Sequence, residues 1–343
     1  MEERKRPEKN EIVLISVLLL ILLSMLILSA FLGAEESVPT PRTQVYFTYF
    51  NTESRYTDYS GGSEEDFQRA AGLVGERLKF YHELFDIYNE YEGKVNLKTL
   101  NDSAGDGPVQ ISEELFDLLE YSKEMYTLTG GEVNIAMGAV LSIWHEYREA
   151  GVALPERELL LEAAEHTDIE KLRLDRENMT AELSDPEMSL DVGAIAKGFA
   201  VEKIAELLER EGYTSSVIDA GGNLRAIGKK PDGTPWRTGV KNPLGEGYIE
   251  YLDLADGAAV TSGNYERYYT VNGKNYHHII DKDTLMPSEH FVSVTVRAES
   301  SALADALSTA LFNMTYEEGL VVIGELDGVR AIWVTSSGEV KTN

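Results

Sequence analysis

The chain has 343 residues, 43% of them hydrophobic, which is enough for one large domain or two small ones. Acidic residues number 59 against 31 basic ones, and the net charge of −28 disfavours binding to nucleic acid or anionic lipid through general electrostatics. The absence of cysteine excludes disulfides, thiolate metal sites, thiol nucleophiles and a lipid anchor on cysteine. An anionic substrate would need a local cation, either a metal ion or a lysine.

The first predicted element is an uncharged apolar segment, Ile12–Leu32, which is long enough to span a bilayer. Residues 1–11 are rich in lysine and arginine, so the positive-inside rule predicts a cytoplasmic N-terminus and an extracytoplasmic remainder. A cleaved signal peptide ending near Ala34 is the alternative. The long apolar run and the poor cleavage pattern favour an uncleaved, single-pass anchor in the cell membrane. Residues 33–43, which contain SVPTPRT, form a predicted linker.

Helices and strands are mixed over the rest of the chain, residues 44–343. A strand is predicted at Gln44–Phe50 and a long helix from about Ser63, with one apolar stripe: Phe67, Ala71, Val74, Leu78, Tyr81 and Phe85. A second helix is expected to end at Gly130. Weaker helical patterns follow in GAVLSIWHEYREAG and ERELLLEAAEH. From Lys171 onward short strands are predicted in KLRL, MTAELS, MSLDV and SSVIDAGG.

The clearest hairpin pattern is YYTVNGKNYHHII, because Asn272-Gly273 suits a tight primed turn between two alternating runs. The stretch SSALADALSTALFNM predicts a helix, and a short helix and the strand VRAIWV close the chain. There is no steady βαβ alternation. The pattern therefore predicts an α+β fold and not a doubly wound sheet.

The segment MSLDVGAIAKGFAVE, Met188–Glu202, brings an aspartate to a glycine-rich turn that opens a helix. A helix start can bind a phosphate, Gly193 and Gly198 permit close approach, and Lys197 adds a positive charge. Asp191 suits a sugar hydroxyl, a ring N–H or a metal-linked network. Taken alone, the segment slightly favours a simpler interpretation, in which Asp191 caps the helix and the glycines shape the turn.

A second candidate is the predicted helix SALADALSTALF, in which Asp305 and Thr309 are four residues apart and share one face. A carboxylate and a hydroxyl are hard-oxygen ligands of the kind that Mg²⁺ or Ca²⁺ accepts. For an isolated Asp-x-x-x-Thr, local hydrogen bonds of both side chains are the favoured interpretation. In YHHIID, His277 and His278 point to opposite faces of a strand, and neither is assigned to catalysis by this pattern alone.

These pieces occur together in one order: VNIAMGAVLSIW, SLDVGAIAKGFAVEKI, DAGGNLRAIG, VTSGNYERYYTVNGKNYHHIID and ADALSTALF. In this combination the chain resembles the ApbE family, the FAD:protein FMN transferases, from about Gln44 to its end. The resemblance implies a two-lobed, T-fold-related α+β domain that binds FAD and Mg²⁺ between its lobes. It also implies transfer of FMN from FAD, through a phosphoester, to a Thr or Ser of a target protein with release of AMP.

The resemblance assigns roles residue by residue. The expected metal ligands are Asp305, Thr309 and a backbone oxygen at Ala194. The expected FAD-contacting positions are Phe50, Tyr88, Ala136, Met137, Gly138, Asp191, Lys197 and His278, with Phe50 the loosest match and Tyr88 beside the ring system. His278, and not His277, matches the histidine implicated in transfer. We hypothesise that His278 or a metal-linked carboxylate takes the acceptor's proton.

One departure concerns the loop after His278, where many members have D-P-x-T-G-x-P. This chain has Asp281-Lys-Asp-Thr-Leu-Met-Pro287, so the first proline and the glycine are missing. The change bears on the choice of target protein more than on the chemistry. Three other functions stay open: an FAD pyrophosphatase that gives FMN and AMP, a membrane-tethered flavin-binding protein without turnover, and a structural extracytoplasmic domain, against which the glycine-rich turn and the Asp305 face argue.

Overall fold

The computed structural model describes residues 16–25 and 40–343. Residues 16–25 form a helix with exposed side chains, and residues 41–343 form one compact unit. The remainder of the predicted Ile12–Leu32 span, together with residues 1–11 and most of the 33–43 linker, lies outside the described residues. Within the described ranges, no helix is both long and apolar enough to cross a bilayer.

The compact unit is built on an eight-stranded sheet in the order β1-β2-β6-β7-β10-β13-β14-β15. Its pairs are antiparallel throughout. The smaller sheets are β3-β5-β4, β8-β9 and β11-β12. The strands are β1 (Arg42–Tyr46), β2 (Ser54–Asp58), β3 (Val109–Gln110), β4 (Leu172–Asp175), β5 (Thr180–Leu183), β6 (Ser215–Ala220), β7 (Asn223–Gly228), β8 (Trp236–Lys241), β9 (Tyr248–Leu254), β10 (Gly257–Gly263), β11 (Tyr268–Val271), β12 (Lys274–His277), β13 (Ser293–Ala298), β14 (Arg330–Val334) and β15 (Val340–Thr342).

The helices cover the sheet and connect its strands. They are α1 (Glu64–Leu84), α2 (Leu97–Asp102), α3 (Glu113–Leu128), α4 (Gly138–Ala150), α5 (Arg157–Ala164), α6 (Ala196–Arg210), α7 (Ser301–Asn313) and α8 (Tyr316–Gly324). Helix α7 packs against α6, β10 and β13, which explains why almost all of its residues are buried. In residues 40–343 helices occur with antiparallel strands and without βαβ units, which confirms the predicted α+β class.

Helix α1 agrees closely with its sequence pattern. The Ser63 side chain accepts a hydrogen bond from the Asp66 N–H and so caps the helix start. The predicted apolar stripe from Phe67 to Phe85 is buried in the main core. Local capping and a helical apolar period therefore fix this element without further tertiary information.

Two predicted strands differ in the structure. The predicted strand Gln44–Phe50 ends at Tyr46, because Phe50 and Asn51 take left-handed φ values of 54° and 53° in a turn that leads into the unpredicted strand β2. The MSLDV stretch is not a strand: only Ser189 forms an isolated parallel bridge, to Met137. It runs instead as extended chain beside the start of α4.

The predicted hairpin is confirmed as β11 and β12, and Asn272 and Gly273 have the positive φ values of 51° and 79° that a primed turn requires. The hairpin packs with α4 and α5 around a second apolar cluster, separate from the main core, which contains Trp144 and Tyr269. This cluster belongs to the same compact unit as the main core. The two apolar clusters are therefore parts of one compact unit.

Candidate active site

The start of α6 meets one face of α7 at the buried carboxylate of Asp305, which is 3% exposed. The Gly198 N–H donates to Asp305 Oδ2 at 2.7 Å, and Lys197 Nζ lies 3.6 Å from Oδ1. A Cβ on Gly198 would lie 2.4 Å from Asp305 Cβ and 2.5 Å from the Ser301 carbonyl oxygen. The glycine is therefore needed for the two helices to approach this closely.

The hydroxyl of Thr309 faces β10. Its Oγ1 lies 3.4 Å from Ser262 Oγ, which is also 2.8 Å from Ser308 Oγ. The bond back to the helix is made by Ser308, whose hydroxyl donates to the Asp305 carbonyl at 3.0 Å. The simpler interpretation, in which Asp305 and Thr309 only make local bonds, therefore fails at Asp305, because its carboxylate is held from another helix.

The fit of these residues to a divalent cation follows from their donor chemistry. Asp305, Thr309 and the backbone of Ala194 offer one carboxylate, one hydroxyl and one carbonyl, which are hard-oxygen donors of the kind Mg²⁺ takes. The buried Asp305 carboxylate needs a positive partner in any state. Among the described residues, no group of three or more His, Asp or Glu side chains could hold a metal ion, and the expected set has only one such side chain.

The expected flavin-contacting segment lies beside the turn that contains Asp191. The Asp191 N–H donates to the Ile135 carbonyl at 2.8 Å, and Met137 pairs with Ser189. A Cβ on Gly138 would lie 2.3 Å from the Ser189 carbonyl oxygen, so these two stretches run in close contact. Ala136 and Met137 are both buried. The structure thus brings residues 136–138 and Asp191 close together.

The Asp191 side chain both caps a turn and lies near positively charged side chains. Its Oδ1 accepts the Gly193 N–H at 2.7 Å, which is the turn-capping role of the simpler interpretation. Desolvation by burial raises the pKa of Asp191, and the Gly193 N–H and the positive charges of Arg148 and Arg267 oppose that rise. Tyr88 is nearby and 54% exposed, with its ring 5.2 Å from the His145 ring. Burial and the negative charge of Asp191 raise the pKa of Tyr88.

The two adjacent histidines have different surroundings. His277 is 8% exposed, its Nε2–H donates to the Ser288 carbonyl at 2.8 Å, and its Nδ1 accepts the Ile279 N–H at 3.2 Å. Both nitrogens of His277 are therefore occupied, and its role is structural. His278 donates from Nδ1 to the Arg267 carbonyl at 3.2 Å, which leaves the Nε2 lone pair available. Desolvation and the charge of Arg267 lower the pKa of His278 to about 3.

Phe50 stands apart from these groups. Its backbone N–H donates to His82 Nδ1 at 3.4 Å, and its ring packs edge-on against the His82 ring at 5.8 Å. These contacts attach Phe50 to α1. No described hydrogen bond or ring contact joins it to Asp191, His278 or Asp305.

Sequence reasoning missed two arginines. The charges of Arg148, on α4, and Arg267, just before β11, both influence the pKa values of Asp191, Tyr88 and His278. Neither guanidinium forms an ion pair with a carboxylate in the described part of the chain. Arg267 lies inside the quoted motif VTSGNYERYY, but its convergence with Arg148 depends on the tertiary fold. In a chain with net charge −28, this local excess of cations marks a surface suited to an anion.

Two surface cavities are present, and the second includes one of the expected FAD-contacting residues, Met137. One, of about 710 Å³, is on the His277 side of the hairpin and is also lined by Ser288 and Phe291. The other, of about 370 Å³, is lined by Met137, Lys282 and neighbouring residues. Neither cavity is lined by Asp305 or His278, so the chemistry of the side chains, and not cavity size, identifies the site.

Comparison with known proteins gives a consistent result. The sequence profile of the ApbE family matches residues 51–333. An FAD:protein FMN transferase of Treponema pallidum is 35% identical over 264 residues, covering 72% of each chain. The crystal structure of the ApbE protein from Thermotoga maritima superposes with a TM-score of 0.79 at 29% identity, covering 88% of this chain and 96% of that one.

A second solved structure is a histidine-to-glycine mutant of the flavin transferase ApbE from Vibrio cholerae. It superposes with a TM-score of 0.76 at 26% identity and covers 89% of this chain and 97% of its own. The agreement of sequence profile, relatives and fold extends over most of the compact unit. The chain therefore belongs to the ApbE family.

Proposed function

We propose that this protein transfers FMN from FAD to a Thr or Ser hydroxyl of a target protein. The acceptor oxygen attacks the FMN phosphorus, a P–O bond of the diphosphate breaks, and AMP leaves while a phosphoester forms. The relatives named above carry this activity in their names. The observation that carries the proposal is the buried Asp305 carboxylate, held by the Gly198 N–H beside Lys197 at the start of α6.

Asp305, Thr309 and the backbone oxygen of Ala194 would hold a Mg²⁺ ion. When bound, Mg²⁺ would offset the negative charge of the diphosphate as the P–O bond breaks. The Gly198 N–H fixes the orientation of the Asp305 carboxylate. Lys197 supplies the second positive charge that a dinucleotide requires in a protein this acidic.

His278 is suited to take the proton of the acceptor hydroxyl at Nε2. Its Nδ1–H is held by the Arg267 carbonyl, which fixes the tautomer and leaves Nε2 as the acceptor atom. A pKa of about 3 makes this imidazole neutral but weakly basic without substrate. An anionic diphosphate nearby would raise that pKa towards the range in which general bases are effective.

The flavin half of FAD is assigned to the surface around Tyr88 and residues 136–138. The exposed Tyr88 ring offers an aromatic face, and Asp191 offers a hydrogen-bond acceptor for a ring N–H or a sugar hydroxyl. Phe50 is the weakest member of this set, because its described contacts are with His82.

The location of the enzyme is a separate proposal. The apolar run Ile12–Leu32 and the basic residues before it support a single-pass anchor with the catalytic unit outside the cytoplasm. Its targets would then be proteins on the same side of the membrane. Protease treatment of intact cells is the test: cleavage of the catalytic unit supports this orientation, and full protection in intact but not lysed cells contradicts it.

The experiment that tests the proposed activity is incubation with FAD, Mg²⁺ and a candidate acceptor protein with a Thr-containing segment, followed by intact-mass analysis. Covalent addition of FMN to the acceptor, with equimolar AMP, supports transfer. Free FMN and AMP with an unmodified acceptor would identify a pyrophosphatase. Stoichiometric, unchanged FAD without AMP would identify a flavin-binding protein without turnover.

A further inference from the structure

The ion pair between Lys197 and Asp305 affects how a divalent ion and FAD would bind to the site. In the described part of the chain, Lys197 is the only ion-pair partner of Asp305, at 3.6 Å from Oδ1. That separation exceeds a hydrogen bond, so the contact is a charge interaction without a fixed bond. The Asp305 side chain is 5% exposed, whereas the lysine side chain is 25% exposed and reaches solvent. One partner is therefore fixed and the other can move.

A divalent ion at Asp305 and an ammonium group at the same carboxylate are incompatible neighbours. Two cations within a few ångströms repel strongly, because a partly buried site screens charge poorly. The Gly198 N–H holds Oδ2 at 2.7 Å and does not depend on Lys197. The carboxylate would thus keep its orientation when the lysine leaves.

We propose that Lys197 is a tethered counter-charge that occupies Asp305 in the ligand-free protein and moves to the diphosphate of FAD when a divalent ion binds. This inference rests on the proposed function, because it takes Asp305 as a metal ligand and FAD as the substrate. Its consequence is positive coupling: the metal binds weakly alone, and the nucleotide strengthens metal binding because it offers Lys197 another anion.

The test is a titration of the full-length protein with Mn²⁺, followed by electron paramagnetic resonance of the free ion, with and without FAD. Lys197→Met is expected to bind Mn²⁺ alone at least tenfold more tightly than the unmodified protein. FAD is expected to strengthen Mn²⁺ binding to the unmodified protein but to have a much smaller effect on Lys197→Met.

The matched control is Lys203→Met. Lys203 lies on the same helix, pairs with Glu206 at 3.2 Å, and its loss changes the net charge by the same amount. It should leave Mn²⁺ affinity close to that of the unmodified protein. Lys197→Gln, which also removes the charge, serves as a second variant if Lys197→Met does not fold. Lys197→Arg, which keeps the charge, should bind Mn²⁺ as weakly as the unmodified protein.

The proposed movement of Lys197 would be overturned if the unmodified protein, Lys197→Met and Lys203→Met bound Mn²⁺ with equal affinity. If FMN transfer were intact in that case, the proposed function would still hold. Absence of Mn²⁺ binding in every protein, with or without FAD, would overturn both the proposed movement and the metal site. The proposed movement would also be overturned if the double variant Lys197→Met/Asp305→Asn bound Mn²⁺ as tightly as Lys197→Met, because the ion would then not be bound by Asp305.

Discussion

Two sides of the candidate site are stabilised in different ways. On the α6–α7 side, close approach of the backbone fixes the position of Asp305. On the hairpin side, residues 268–292, side-chain packing fixes the conformation of a loop. Gly198 has no space for a Cβ between Asp305 and the Ser301 carbonyl. On the other side, Leu285 takes a left-handed φ of 58° at the position where many family members have glycine. Its side chain is buried in the second apolar cluster, and its carbonyl accepts the Trp144 Nε1–H at 3.0 Å.

A second contact stabilises this loop in the absence of the proline and the glycine that many family members have there. Lys282, which stands in place of the family's first proline, pairs with Glu132 at 3.3 Å. Different residues can therefore stabilise the same loop conformation, because several contacts together compensate the strain of an unfavourable φ. The contact between Gly198 and Asp305 has no such substitute, since any side chain would occupy the same space.

The largest expected effect is the loss of transfer activity when Asp305, on the α6–α7 side, is replaced. Asp305→Ala should lower the rate of FMN transfer by at least about a hundredfold, because charge stabilisation in the transition state is lost. The protein should still fold, since the change removes a buried charge and leaves Lys197 partly exposed. The rate of acceptor modification by intact mass measures the effect, with the exposed Asp253→Ala as control. Metal-dependent transfer at an unchanged rate would remove Asp305 from the ligand set.

His278 lies on the hairpin side, where its Nδ1–H donates to the Arg267 carbonyl. His278→Ala should slow transfer by about a hundredfold, the effect of losing a general base, with FAD binding largely intact. His290→Gln, at an exposed histidine of the hairpin side, should change neither quantity. Unchanged turnover in His278→Ala would exclude this residue from the mechanism.

The same residue predicts a pH dependence of stability. The pKa of His278 is about 3 in the folded protein and about 6.5 when unfolded, so the unfolded chain binds more protons between these values. The stability that depends on neutral His278 is complete above pH 6.5 and is lost as the pH falls towards 3. The buried His277 acts in the same direction. Urea unfolding should therefore show a smaller acid-induced loss in His278→Gln than in the unmodified protein; equal losses would contradict the assignment.

Gly198→Ala tests the backbone contact. The added Cβ should force α6 and α7 apart and reduce the free energy of unfolding by about 1–3 kcal/mol, with weaker FAD binding. Gly72→Ala is the matched control, because its Cβ in α1 would meet nothing within 4 Å. That variant should gain about 0.5–1 kcal/mol. Equal stability of the two variants, by urea unfolding, would refute the close-approach argument.

The smallest expected effect is the difference in stability between two variants of Leu285, on the hairpin side. Leu285→Ala keeps the left-handed strain and loses the buried side chain, at a cost of about 2–5 kcal/mol. Leu285→Gly loses the same packing but relieves the strain, so it should be about 1 kcal/mol more stable than Leu285→Ala. Urea unfolding of the pair measures that difference. A glycine variant no more stable than the alanine variant would show that the loop carries no strain at this position.

The parts of the structure that follow from local rules were predictable. The apolar period predicted α1, and Asn272-Gly273 predicted the hairpin turn. The spacing of Asp305 and Thr309 correctly predicted a shared helix face. Strand β2 and the irregular MSLDV stretch were missed, because neighbouring chains and not local propensity decide those conformations.

Within the site, residues of one motif could be assigned from sequence and residues that converge from distant elements could not. The pairing of Lys197 with Asp305 joins α6 to α7, and the convergence of Arg148 with Arg267 joins α4 to the hairpin. The left-handed φ of Leu285 was equally unpredictable. The neighbouring Asp281 and Asp283 indicate a turn, but a bulky apolar side chain disfavours a positive φ at any position in it.

The most direct test of the central claim is the position of a divalent ion in a crystal soaked with FAD and Mn²⁺, located by anomalous scattering. We expect one strong peak in contact with Asp305, the hydroxyl of Thr309 and the diphosphate, with Lys197 turned from Asp305 towards a phosphate oxygen. A diphosphate bound without a peak at Asp305, or with Lys197 still paired to that carboxylate, would contradict it.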